Sequence, residues 1–217
     1  MEMLVVISVL SVVSVMILTI FTRSLRGGNK AQIIATIKQN GQSVLENMDK
    51  TIRNSDNVVC PVVTPPATTA DSNNLVVKSG GIYTRYRFIS PSPSPTPTVN
   101  GLIKQDNPTK QSVAGVTPAR EETDAELRNR ICQFTDPLLT SALTLTDTNT
   151  QTGISVTCAA SDGVPDCTEN PIFSRDRSAG FKDQVKIHFD LKPGVSASQA
   201  IAGQIDPVIF QTTIQLR

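Results

Sequence analysis

Residues Leu4 to Phe21 read LVVISVLSVVSVMILTIF, a run without a charge, a glycine or a proline. As an α-helix the run spans ~27 Å, about the thickness of a bilayer's hydrocarbon core. No other stretch restricts the fold so strongly, because a helix this long and apolar on every side does not suit the surface of a soluble domain. Beyond Arg23, Arg26, Gly27 and Gly28 the pattern changes. Ile33, Ile34, Ile37, Gly41, Val44, Leu45, Met48 and Ile52 recur at spacings of three and four among polar residues. That periodicity predicts an amphipathic continuation with one stripe turned to a protein core. The turn-forming cluster Asn54-Ser55-Asp56 ends it. The two halves together predict one helix that leaves hydrocarbon and becomes the first element of a globular head, fused to its anchor without a flexible linker.

Roughly 160 residues follow the helix, the size of one ordinary domain with its own core. The formal charge is +1, with Lys and Arg scattered among Asp and Glu, which leaves no basic footprint for nucleic acid. Cys60, Cys132, Cys158 and Cys167 all lie outside the apolar run. An even number in a chain with a membrane-targeting start favours disulfides formed in an oxidising compartment; the lack of paired C-x-x-C knuckles and the single histidine argue against structural zinc. Four cysteines allow three pairings, of which Cys158–Cys167 with Cys60–Cys132 is favoured, because the first closes a short Gly/Pro turn and leaves the other two as partners. The apolar run exceeds the core of a cleaved signal peptide, has no basic residue before it and no A-x-A-like site after it, and is read as a retained anchor. Arg23, Arg26 and Lys30 just beyond it favour a cytoplasmic head by the positive-inside rule, whereas the cysteines favour an extracytoplasmic one.

Alternation predicts strands over 75–77 and 82–89, separated by the turn Ser79-Gly80-Gly81, and again over 101–104, 153–158, 185–191 and 208–216, with weaker signals at 138–139 and 142–145. In the second of these Tyr83, Arg85 and Arg87 share a face opposite Ile82, Tyr86 and Phe88, which turns the arginines toward water. Likewise Lys186, His188 and Asp190 alternate with Val185, Ile187, Phe189 and Leu191. Residues 61–74 and 107–120 read as irregular, and 121–134 as a short helix. Ser90 to Thr98 (SPSPSPTPT) is barred from a central strand, since every second residue lacks a backbone donor, and reads as an extended spur. Strands with one apolar face after one long amphipathic helix predict an α+β fold, the helix packed on an antiparallel sheet. Residues 1–28 form the transmembrane half and 29–217 the head, which includes the amphipathic half of the helix.

Catalytic patterns are missing. His188, the single histidine, is expected to face away from the core, with no nucleophile placed beside it. No G-x-S-x-G, P-loop or G-x-G-x-x-G occurs, so no enzyme activity and no cofactor are expected. Asp162, Asp166 and Glu169 lie close together between and beside Cys158 and Cys167, but without EF-hand spacing, and read as solvated turn carboxylates. Ser8, Ser11 and Ser14 recur every three residues in the apolar half. Such a small-residue track either lets helices approach closely in lipid or bonds back to its own helix.

Glu2-Met3-Leu4-Val5-Val6-Ile7-Ser8 resembles the start of mature type IV pilins and of the pseudopilins of type II secretion systems, which open on a glutamate followed by a Leu/Val/Ile-rich run. Val208 to Arg217 is similar to the closing strand of many minor pilins and pseudopilins. The resemblance implies a pilin-like structural subunit that is not an enzyme, assembling through its N-terminal helix with other pilin or pseudopilin subunits. It also implies an assembly platform, a prepilin peptidase, N-terminal methylation, and a short basic leader ending in glycine, encoded in frame ahead of Met1. The site it implies is Glu2, met on assembly by the α-amino group of a neighbouring subunit. Single-pass anchoring in the inner membrane, an extracytoplasmic head, and a periplasmic or cell-surface filament follow. The alternative is a membrane-anchored extracytoplasmic binding domain that forms no filament.

Overall fold

The structure, a computed structural model, describes residues 2–64, 66–91, 98–113, 120–158, 160–161, 164–165, 167, 170–178, 180–198 and 203–217; of residues 2, 4, 5, 26, 160, 161, 164 and 165 it describes the backbone only. Helix α1 (Glu2–Arg53) is continuous over 52 residues, through Gly27 and Gly28. A first antiparallel sheet follows from β1 (Asn57–Cys60), with β2 (Thr69–Ser72) departing to a second sheet before β3 (Asn74–Ser79), β4 (Ile82–Ile89) and β5 (Leu102–Asp106) continue the first. The two-residue strands β6 (Ser112–Val113) and β7 (Arg120–Glu121) pair with each other ahead of α2 (Asp124–Cys132), and β8 (Leu143–Thr144) closes the first sheet in the order β1-β3-β4-β5-β8. After β9 (Ile154–Thr157) and the small pair β10 (Ala160–Ser161) and β11 (Val164–Pro165), β12 (Phe173–Asp176), β13 (Gln184–Pro193) and β14 (Val208–Gln215) build the second sheet in the order β14-β13-β12-β2. β13 is its spine. One edge pairs with β14 from Gln184↔Gln215 to Leu191↔Val208; the other is shared by β12 and β9.

The fold is α+β with antiparallel sheets, as the periodicities predict, but the head holds two five-stranded sheets where one was expected. They are joined where β9 meets the start of β5: the Val156 amide donates to the Gly101 carbonyl and the Gly101 amide to Ser155 Oγ, both at 2.9 Å. The β3–β4 turn has Gly80 at φ 54° and Gly81 at φ 90°, the two successive left-handed residues of a tight hairpin. Short strands β1, β2 and β12 arise in segments without clear alternation. The signal at 138–139 gives no strand, and β8 keeps only two residues of 142–145.

The stripe of α1 lies over β13 and β14 and enters the main core, where Ile37, Val44, Met48 and Ile52 are completely or almost completely buried among Leu75, Phe88, Phe189 and Ile214. Gly41 sits in the middle of this stripe for a steric reason. A Cβ there would come within 2.2 to 2.6 Å of three ring carbons of Phe210, and that ring is stacked on Phe189 at 5.5 Å. Gly41→Ala gains about 1 kcal/mol of helix propensity but forces the stacked ring aside, an overpacking cost of roughly 1–3 kcal/mol. The expected result is net destabilisation; chemical denaturation of the detergent-solubilised protein checks it, and a more stable variant would show that Phe210 swings away freely.

The first sheet is covered on its other face too. Leu127 and Ile131 of α2 pack on Val59, Cys60, Val76 and Tyr83. A capping box starts α2: Thr123 Oγ1 accepts from the Glu126 amide while Glu126 accepts from the Thr123 amide. Cys60 pairs with Cys132, tying β1 to the end of α2, and Cys158 pairs with Cys167. Closing a separation of 72 residues restricts the unfolded chain by about 4 kcal/mol on the chain-entropy account.

Covering both faces of β4 overturns the expectation that its arginines lie in water. Arg85 is 0 % exposed, and Tyr83 and Arg87 are 5 % exposed. Alternation assigns residues to a shared face, but here α2 and the segment after it cover the face that carries Tyr83, Arg85 and Arg87. Asp190 is also buried, on the face of β13 that was expected to be wet.

Candidate functional site

The apolar half of α1 projects from the head with its side chains exposed. Val6, Ile7, Val9, Leu10, Met16, Ile17, Leu18, Ile20 and Phe21 are among the exposed large hydrophobic residues, and the helix is long and apolar enough to cross a membrane. So much uncovered apolar surface on one element is stable only in lipid or against other apolar helices. Ser11 Oγ donates to the Ser8 carbonyl and Ser14 Oγ to the Leu10 carbonyl, both at 2.8 Å, and Thr19 and Thr22 bond back in the same way. Ser11 and Ser14 therefore spend their protons on their own helix, while their small size still leaves room for a neighbouring helix. Glu2 is the first residue of α1; its side chain lies outside the described residues.

The second constellation is one the sequence reading missed, a chain of charges buried between β4, β5, α2 and the segment after α2. Arg85 meets Asp106 with two parallel bonds, Nε to Oδ1 at 2.8 Å and Nη2 to Oδ2 at 2.6 Å, and meets Asp136 Oδ2 through Nη1 at 2.5 Å. Asp136 Oδ1 accepts from Arg130 Nη1 at 3.0 Å, and Arg130 closes on Glu122 at 2.8 and 2.9 Å. Arg87 donates to the backbone carbonyls of Asp136 and Gln133 and lies over the Phe134 ring at 5.0 Å. Burial opposes the charge on Arg85, but Asp106 and Asp136 outweigh it and raise its pKa. Arg87 is lowered by burial and by the nearby Arg85, and Glu122 is held below the ordinary carboxylate range by its bonds to Arg130. Arg85, Asp106, Asp136, Arg130 and Glu122 are each held by charged partners, while Arg87 keeps a buried Nε without a hydrogen-bond partner; the bonds from Arg85, Arg87 and Arg130 fix the position of the segment after α2.

A groove of about 420 Å³ lies where α1 enters the head, lined by Asn29, Gln32, Ile33 and Thr36 on one side and Thr152 and Pro193 on the other. No family model, curated protein or solved structure matches this chain.

Other predicted positions are not brought together. His188 is half-buried on β13, its amide bonded to the Ile172 carbonyl. Asp162, Asp166 and Glu169 lie outside the described residues, as do Ser92 to Pro97 of the predicted spur. Among the described residues no group of three or more His, Cys, Asp or Glu is placed to hold a metal ion.

Proposed function

We propose that this chain is a structural subunit, a minor pilin or pseudopilin, of a type IV pilus-like or type II secretion filament. It is not an enzyme on this reading, and it assembles through the N-terminal half of α1. The observation that carries the reading is the continuity of α1 through its 52 residues, from an uncovered apolar half into the core of the head without a joint. A rigid union of this kind transmits the packing of the anchors directly to the heads, which a filament requires and a tethered binding domain does not. Partners are other subunits of the same kind, the membrane, and the assembly platform and prepilin peptidase that the resemblance implies. The groove beside α1 favours the second reading, a membrane-anchored extracytoplasmic binding domain.

Glu2 gives the test. A carboxylate drawn unpaired into hydrocarbon costs about 2.5–3.5 kcal/mol on insertion scales, a penalty removed when a neighbour's α-amino group meets it. In the full-length protein expressed in its own cells, Glu2→Ala is expected to insert into the membrane at normal levels but to stop co-purifying with filaments or partner subunits. Incorporation at the wild-type level would make Glu2 an ordinary flanking charge and remove the assembly role.

A further inference from the structure

The second sheet has two outer strands, β14 and β2, and among the described residues neither has a backbone partner on its outward edge. Open edges are sites of strand addition, and proteins usually blunt them with charge, proline, bulges or shortness. The first sheet follows that rule. β1 is four residues long, bulged between Val58 and Cys60, and tied to α2, while β8 is two residues long. β14 does not follow it. Its eight residues, VIFQTTIQ, contain no charge and no proline, and its outward-facing side chains Ile209, Gln211, Thr213 and Gln215 are exposed. β2 has Thr69 and Asp71 on the corresponding face.

We propose that the β14 edge of one copy adds to the β2 edge of a second copy, so that the second sheet continues from head to head. Two geometric facts select this occupant. Four strands, β14-β13-β12-β2, alternate in direction, which makes β14 and β2 antiparallel. A second copy in the same orientation therefore offers an antiparallel edge, the more stable pairing. The competing arrangement, two β14 edges paired about a two-fold axis, requires an axis normal to the sheet. Because α1 lies along the face of β13 and β14, such an axis turns the second α1 end for end, and two helices so related cannot enter one membrane from the same side. The β14-to-β2 contact keeps every α1 pointing the same way, and as a head-to-tail contact it propagates as an open filament. This inference rests on the proposed filament function.

The test uses the full-length chain in its membrane. Asp71→Cys is combined in turn with Ile209→Cys, Gln211→Cys, Thr213→Cys or Gln215→Cys, and mild oxidation is followed by non-reducing electrophoresis. The expected result is a ladder of dimers, trimers and longer products for one or two neighbouring pairs, with only monomer from each single variant. Ser11→Cys separately reports contact between the apolar halves of α1. Cross-linking at Ser11 without any β14–β2 ladder overturns the sheet contact and leaves the filament reading in place. Loss of both overturns both. Dimers from a single β14 cysteine show self-pairing and overturn the proposal as well. As a check that does not depend on oxidation, Thr213→Asp places a second negative charge on the face that meets Asp71 of β2 and is expected to reduce co-purification of differently tagged copies while leaving thermal unfolding of the dispersed protein unchanged; undiminished co-purification counts against the contact.

Discussion

Arg85→Ala is expected to be the most damaging single substitution in the head, costing roughly 3–5 kcal/mol. Total stability of a domain is only about 5–15 kcal/mol, so the loss is a large fraction of what holds the head folded. The size follows from what is left behind. Asp106 and Asp136 are 1 % and 5 % exposed at their side chains, and without Arg85 one loses a bidentate partner and the other its shortest bond. Two carboxylates in one buried space either repel each other or take up protons, and both outcomes oppose folding at neutral pH. The ion pairs as such are a poor source of net stability, since desolvation consumes most of their attraction. Accordingly, replacing Arg85, Asp106 and Asp136 together by apolar residues of similar volume is expected to recover most of the loss. Urea unfolding at pH 7 distinguishes the cases. A loss near 1 kcal/mol or less for Arg85→Ala, the size of an exposed pair, would mean that water enters the network and compensates.

This network also marks the limit of what the amino-acid sequence reveals. Periods of 3.6 and 2 were long enough in α1, β4, β13 and β14 to identify the elements, and in α1 and β13 the buried residues Ile37, Val44, Met48, Val185, Ile187 and Phe189 lie on the predicted faces. Strands β1, β2 and β12 are four residues each, too short for alternation to stand out from a loop. The arginines of β4 were grouped on the right shared face but assigned to water, because the cover for that face comes from α2 and the residues after it. Asp106 and Asp136 lie 21 and 51 residues from Arg85, and no local pattern announces such pairs. Asp190 shows the same gap: it occupies the alternate face of β13, yet it is buried, and burial pushes its carboxyl up. Thr123-Asp124-Ala125-Glu126 is a capping-box sequence and locates the start of α2 at Asp124 without any structure. Glu2 was picked out by resemblance rather than by periodicity, because a single carboxylate before an apolar run has no local partner to define its role.

Two truncations are expected to behave in opposite ways. Removing residues 1–28 deletes the exposed apolar half of α1 and leaves Ile33, Ile34, Ile37, Val44, Leu45, Met48 and Ile52 to cover the second sheet, so a folded and soluble head is expected. Removing residues 1–56 takes that cover away. Ile37, Val44, Met48 and Ile52 are each 0 or 1 % exposed in the intact head. Burying a side chain of this kind contributes roughly 1.5–3 kcal/mol, so losing all four removes an amount comparable with the whole stability of a domain. Phe210 loses the helix face at Gly41 against which its ring lies, and Phe189 and Ile214 are uncovered along with it. An apolar sheet face of that extent in water leads to aggregation. The β14 edge, already without a charge or a proline, adds a second route to the same outcome. Size-exclusion chromatography and circular dichroism of the two products decide the matter: a folded monomer from residues 29–217 and an aggregate from residues 57–217 are expected. Equal solubility and equal melting of the two would show that α1 does not pack on the head, and the rigid union on which the filament reading depends would be lost with it.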